Sequence, residues 1–484
     1  MMFERSHTPG AAWLYYAWRR IKLPCFLLMI VVGGQYLSCS KKMTPFQPTD
    51  ALGIANKWVY DSMKYYYYWA DQITSHPDYS LPTPDFFKQL LSPEDRFSWI
   101  SNGSNISAPK TTPELFGFHY VLINHPFDAQ KLVGVITLVV PGSNANSRVH
   151  LERGMFFTKV NDKTISTQNM AAIIADLESM TNSAVMLQLA AIDSSGTALN
   201  DSVRVAVSRA FVPQQSVYAT KVFQKNNIKT GYLAWFLCVE KDDGYLLQKI
   251  QAFKNAGITE MILDLRYNPG GSVASASKLA ATLVSAFNPN NTFITYKGNR
   301  SGGTVKLSFK EAIQYSGNAS GKDMNTLQGL NQGLQRIFIL TSPATASAAE
   351  LLANNLKPFM QVKRIGERTL GKDEASFIIE DTRNPQQVEW KLMPIVYKVA
   401  DANGVGNYSS GLIPDHTVNE FSSLPLQQLG MPGDLPVDKA LELIYGTSQV
   451  EMNPLRRRVY SFPKVKPLFY SSQSGNYPVA ATLP

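Results

Sequence analysis

Cysteine is scarce in this chain: Cys25, Cys39 and Cys238 are the only three in 484 residues. Two of them fall within the first 39 positions, so no disulfide framework is available. Cys238, in an apolar stretch, reads as a core residue. Histidine is nearly as thin. His7, His76, His119, His125, His150 and His416 make neither an HExxH pattern nor a Cys/His metal spacing, and His416 reads as structural. No Gly-x-Ser-x-Gly elbow occurs. No apolar run is long enough to span a bilayer comfortably, since Leu23 to Val32 covers ten residues. Charged residues make up 17%, with a net charge of +9, yet +3 of that lies in residues 1–38 and +4 in residues 451–484. The remaining +2 is too little for a phosphate-binding face, which argues against a nucleic-acid partner.

What is present is 44% hydrophobic, enough for a sizeable core and about three domains at ~150 residues each. Arg19, Arg20 and Lys22 precede the apolar run Leu23–Val32, the order of an export signal. The run leads to Leu37-Ser38-Cys39, similar to a lipobox, with cleavage before Cys39 and a lipid attached there. Tyr36 stands where an aliphatic residue is usual, and an uncleaved anchor or plain secretory signal is the alternative. The expectation is a membrane-associated chain of the bacterial cell envelope, facing the periplasm or the surface.

The pattern divides the rest. Residues 1–39 are the signal, and 40–104 a tether with an aromatic helical segment. Residues 105–212 turn to short strands, 213–447 alternate strand and helix, and 448–484 form a basic tail read as a solvated extension. The fold class is therefore α/β, multidomain (α+β overall). Within 105–212, Leu151-Glu152-Arg153-Gly154-Met155-Phe156-Phe157 and the hairpin at Asn161-Asp162 resemble a PDZ domain, with Ile173 to Met180 as its second helix. That resemblance implies a groove for an extended peptide, with Phe116, Gly117 and Phe118 placing amides near a terminal carboxylate. The alternative is a β-rich spacer. Residues 287–333, rich in Asn, Gly and Ser, read as an insertion or covering loop.

Two stretches carry the chemistry. Thr345-Ala346-Ser347-Ala348-Ala349-Glu350 opens a helix straight after the apolar strand Ile337–Leu340. Small neighbours leave the Ser347 hydroxyl uncrowded, and a helix N-terminus offers free amides to a developing oxyanion. Gly366-Glu367-Arg368-Thr369-Leu370-Gly371-Lys372 follows the next strand and delivers Lys372. A lysine with a pKa lowered by burial serves as the base that a serine needs. The competing readings are an N-cap serine, a surface lysine, and a phosphate loop, the last failing where Asp373 replaces Ser or Thr.

With Asp264-Leu265-Arg266-Tyr267-Asn268-Pro269-Gly270-Gly271, these stretches resemble the C-terminal processing (tail-specific) serine peptidase family. Gly411-Leu412-Ile413-Pro414-Asp415 and the helix at Asp438-Lys439-Ala440-Leu441 extend the likeness over residues 50–447. The resemblance implies Ser347 as nucleophile, Lys372 as general base, and an oxyanion hole from Gly270 or Gly271 with Ala348. It implies no metal or organic cofactor and polypeptide substrates, loosely folded or C-terminal. Four residues past the lysine the family carries Gln or Glu to orient the amine; this chain has Ser376, whose hydroxyl can still hydrogen-bond the neutral amine in that role but has a shorter reach. The alternative from another class is a non-catalytic peptide-binding lipoprotein that retains the fold.

Overall fold

The computed structural model describes residues 50–102, 112–212, 215–314, 322–446, 459–462 and 465–473. The leader with Cys25 and Cys39 lies outside them, as does Arg456–Arg458. Among the described residues no helix is long and apolar enough to cross a membrane.

The aromatic segment forms α1 (Ala51–Tyr66) and α2 (Thr83–Gln89). Asp50 starts α1 by accepting the Gly53 amide at 2.7 Å, and Pro84 sits in the first turn of α2, where its missing N–H costs nothing. Tyr67, Trp69, Phe86 and Phe87 are buried against Ile379, Leu392 and Ile395 of the main body. The density of rings is thus explained by packing on a neighbour.

The next unit is an antiparallel sheet of β1 (Phe118–His125), β2 (Asp128–Val139), β3 (Phe156–Val160), β4 (Ala184–Ile192) and β5 (Leu199–Ser208), in that spatial order. Helix α3 (Met170–Leu177) covers one face, starting three residues earlier than the apolar pattern suggests. Because side chains alternate along a strand, Phe118, Tyr120 and Leu122 pack with Ile173 and Leu177 beneath α3. Val121 and Ile123 point the other way, into a cluster shared with Tyr232 and Ile262 of the main body. Burial on both faces accounts for the unbroken apolar run.

The main body follows as β6 (Val217–Lys225), β7 (Ile228–Trp235), α4 (Asp243–Ala256), β8 (Glu260–Asp264) and α5 (Val273–Leu283). Then come β9 (Thr292–Gly298), β10 (Thr304–Ser308), β11 (Arg336–Thr341), α6 (Ala348–Asn355) and β12 (Gln361–Gly366). The chain continues through β13 (Glu374–Ser376), β14 (Ile395–Ala400), β15 (His416–Thr417), α7 (Leu435–Tyr445) and β16 (Pro467–Tyr470). One sheet runs β15-β12-β11-β8-β7-β6, parallel except where β6 meets β7. Met261, Leu263, Ile337 and Ile339 face α4, α5 and α6, whereas Ile262, Phe338 and Leu340 face α7 and the antiparallel sheet. A second sheet, β10-β9-β14-β13, lies beyond. His416 is an edge-strand residue paired with Ile365.

Two readings are corrected. Residues 287–333 are no covering loop, since they contribute β9, β10 and buried Phe293, Ile294, Phe309, Leu327 and Leu330 to the core. Their Asn and Gly residues punctuate short elements, which composition alone cannot distinguish from a loop. Nor is the tail solvated throughout: β16 pairs with β1, and Tyr470 is buried.

Buried charge joins the units. Glu420 accepts from Arg153 (2.8 Å), Arg266 (2.8 Å) and the Tyr267 hydroxyl (2.6 Å), while Arg266 also binds Asp264 and Asp434. Each partner would be left uncompensated without the others. Glu420→Ala is therefore expected to cost about 3–5 kcal/mol, read as a shift in denaturant midpoint.

Candidate active site

Three consecutive connections leave the carboxyl ends of adjacent parallel strands β8, β11 and β12, the edge at which open α/β sheets bind ligands. After β11, Thr345 Oγ1 donates to Leu265 O at 2.8 Å and Ala346 N–H to Asn268 O at 3.0 Å, so this turn is fastened to the one after β8. Ala344, Ala346, Ala348 and Ala349 are all buried, which only small side chains permit here. Ser347 ends the turn at φ 53° and ψ −118°, immediately before α6. A non-glycine residue there stores of order 1–3 kcal/mol, held in place by its surroundings.

The turn after β8 explains its glycines. Gly270 has φ 98°, and a Cβ on it would lie 2.8 Å from Ser347 Cβ and 2.9 Å from Ala348 N. Gly271 has φ 123°, and a Cβ there would meet Cys238 O at 2.2 Å. Gly270 O accepts from Cys238 N–H at 3.0 Å, and Cys238 O from Ser272 N–H at 2.7 Å. Buried Cys238 thus frames the turn with its backbone. The Gly270 amide donates to Asn268 Oδ1 at 2.8 Å, so it is already engaged. The Gly271 amide takes part in none of these bonds.

The turn after β12 carries Lys372. It is anchored where Glu367 N–H meets Thr341 O at 3.0 Å and Leu370 N–H meets Thr345 O at 3.0 Å. One carboxylate gathers the whole arrangement. Glu350, fully buried in the first turn of α6, accepts the amides of Ser347 (2.9 Å) and Lys372 (2.8 Å) on Oε2. Its Oε1 accepts from Gly371 N–H (2.7 Å) and Thr369 Oγ1 (2.5 Å). Two nitrogens sharing one acceptor lie closer together than the sum of both bonds, which brings Ser347 and Lys372 side by side despite their separation in sequence. Burial pushes the Glu350 carboxyl up, against four hydrogen bonds that favour its charge.

The partly buried Lys372 ammonium lies 5.1 Å from the centre of the Phe97 ring. Burial pulls its pKa from 10.5 down to about 8, while Glu374, Glu350 and Asp95 act the other way. Arg96 clamps the same turn, donating to Gly371 O at 2.5 Å and Ser409 O at 2.9 Å. The aromatic segment therefore walls the lysine.

Of the residues singled out from sequence, Ser347, Lys372, Gly270, Gly271 and Ala348 meet at one place. Ser376 lies on β13, partly buried and opposite Ile395. The acid first among those acting on Lys372 is Glu374, two positions earlier on the same strand. Glu374 is buried; Oε1 accepts from Lys398 at 2.5 Å, and Oε2 has no hydrogen-bond partner among the described residues. Phe116 and Phe118 are fully buried core side chains, and the Gly117 amide is spent on Pro113 O at 3.0 Å. Glu350 was legible as the fourth residue of a capping box, Ser-x-x-Glu; Glu374, Arg96 and Phe97 carried no such signal.

Residues 229–415 match the family described as "Peptidase family S41" and residues 55–99 its "Peptidase S41 N-terminal domain". A candidate CtpA-like serine protease of Staphylococcus aureus (strain bovine RF122 / ET3-1) is 27% identical over 254 residues, 51% of this chain and 43% of that protein. A candidate CtpA-like serine protease of Staphylococcus saprophyticus is 26% identical over 228 residues, 47% of this chain and 39% of that one. The chain thus spans less than half the length of these curated relatives. Among solved structures, a candidate S41 protease from Bacteroides fragilis NCTC 9343 superposes with a TM-score of 0.65 at 22% identity, covering 84% of this chain and 99% of that one.

Proposed function

We propose that the chain, whose residues 229–415 match peptidase family S41 and 55–99 its N-terminal domain, is a serine endopeptidase working through Ser347 and Lys372. The observation that carries the reading is the shared carboxylate, Glu350, which binds the backbone of both residues while Gly270 leaves no room for a side chain beside Ser347 Cβ. In its neutral form the Lys372 amine accepts the Ser347 proton as Oγ attacks the scissile carbonyl carbon. The tetrahedral oxyanion is held by the amides of Ala348 and Gly271, each worth about 3 kcal/mol in the transition state. Gly270 is left out because its amide is engaged by Asn268. The lysine returns the proton to the leaving amine, and the acyl group stays on Ser347 Oγ. Water then gives its proton to Lys372, attacks the ester and restores the serine.

Glu374 takes the orienting role in place of Ser376. Its buried Oε2 has no hydrogen-bond partner among the described residues, and Lys398 fixes its other oxygen. Only the deprotonated lysine is a base, so casein hydrolysis is expected to rise about tenfold per pH unit and level off above about 8. Glu374→Gln removes a negative neighbour that favours the ammonium. The rising limb should then move to lower pH as turnover drops, a shift that a purely structural residue would not produce. No casein hydrolysis at any pH would remove the peptidase reading.

The substrates we assign are loosely folded or C-terminal polypeptide segments, admitted along the PDZ-like unit of residues 112–212. We also assign lipidation at Cys39 and attachment to the cell envelope. Cys39→Ala is expected to move the protein from the membrane to the soluble fraction.

A further inference from the structure

The PDZ resemblance implies a groove for an extended peptide, which on this fold would add a strand to the β1 edge beside α3. That edge has an occupant. Strand β16 lies antiparallel along it, with Val121 opposite Tyr470, Leu122 opposite Phe469 and Ile123 opposite Pro467. The next residue continues the contact, because Tyr120 N–H donates to Ser471 Oγ at 2.8 Å. The direction is also that of a ligand. A peptide added to β1 in the PDZ-like manner runs antiparallel to it, as residues 467–471 do.

The side chains fill both faces of the added strand. Phe469 packs on the cluster that contains Tyr120, Leu122 and, from α3, Ile173 and Leu177, its ring 5.7 Å from that of Tyr120. Tyr470 turns to the opposite face, buried and 6.5 Å from Phe421 of the main body. Leu468 remains 42% exposed. The lead-in is tied down as well, with Asn419 Nδ2 donating to Val465 O at 2.7 Å and Phe462 N–H to Ser422 O at 2.7 Å.

We propose that residues 467–471 are an internal ligand of the peptide-binding edge, so that a polypeptide substrate must displace the chain's own tail to dock. The inference rests on the reading of β1 as the docking edge. A tethered segment competes at a high effective concentration, so the edge answers only to substrates that bind it well or arrive in excess. The tail is thereby a built-in brake on docking, distinct from the chemistry at Ser347.

The test uses the full chain and a fluorescent peptide of residues 465–473, followed by anisotropy. Phe469→Asp places a carboxylate against the α3 cluster and should release the tail. This variant should bind the peptide at least about tenfold more tightly than the wild type, with a lower KM for casein and an unchanged kcat. The converse variant joins Leu122→Cys to Phe469→Cys. Oxidation should abolish peptide binding and raise KM, and dithiothreitol should reverse both. Should Phe469→Asp not fold, this pair decides alone. A folded Phe469→Asp with wild-type peptide affinity and KM, or a cysteine pair indifferent to oxidation, would overturn the proposal and leave β16 as a fixed strand. Peptide binding that follows these expectations without casein cleavage by any form would sink the peptidase reading and leave this one standing.

Discussion

Ser347→Ala is expected to lower casein hydrolysis by about 10⁴-fold or more while leaving the fold intact. Without the hydroxyl there is no acyl-enzyme, and the amides of Ala348 and Gly271 have no covalent intermediate to stabilise. Lys372→Met keeps most of the side-chain volume against Phe97 but removes the base, for an expected loss of about 10²–10⁴-fold. The two losses should not add, because the residues act in one proton transfer. Backbone strain supplies an independent control. Ser347 sits at φ 53°, where glycine is at ease, so Ser347→Gly should be inactive yet about 1 kcal/mol more stable in urea. Full turnover in any of these variants would end the assignment of the dyad.

Glu350→Gln is expected to be costly despite matching the carboxylate in shape. Both Glu350 oxygens accept: Oε2 from two amides, Oε1 from one amide and a hydroxyl. Whichever way the Gln amide turns, its NH₂ meets at least one buried N–H, donor against donor. An unsatisfied buried donor costs about 1–3 kcal/mol, so stability should drop by about 3 kcal/mol, seen in the denaturant midpoint. Turnover should fall about 10²-fold as the turns bearing Ser347 and Lys372 lose their common anchor. Glu350 also raises the lysine's pKa by its charge. The residual activity of Glu350→Gln should therefore begin at lower pH than that of the wild type. An unchanged midpoint and pH profile would show that the carboxylate does not gather the site.

The parts of this protein legible in advance are those written locally. Apolar strands such as Ile337–Leu340, the helix Leu435–Tyr445, and the Gly270-Gly271 and Ser347 turns follow from periodicity, side-chain size and backbone freedom, each sensed within a few residues. The misread parts depend on remote partners. Residues 287–333 look like a loop because their core-facing Phe293, Phe309 and Leu327 are diluted by turn residues. Glu374 gave no local signal, because the acids acting on the buried Lys372 amine, Glu374, Glu350 and Asp95, come together only in the fold.

The amino-acid order by itself determined which atoms are available for chemistry: one hydroxyl before a helix, one lysine after the next strand, and glycines where a backbone must come close. Tertiary structure alone decided that Glu350 would bind both turns, that Phe97 and Arg96 from a distant segment would wall the lysine, and that residues 467–471 would lie on β1. The physical reason is range. Backbone preference and periodicity act over a few residues, whereas desolvation, shared hydrogen-bond acceptors and strand addition act only between segments that folding has already brought together.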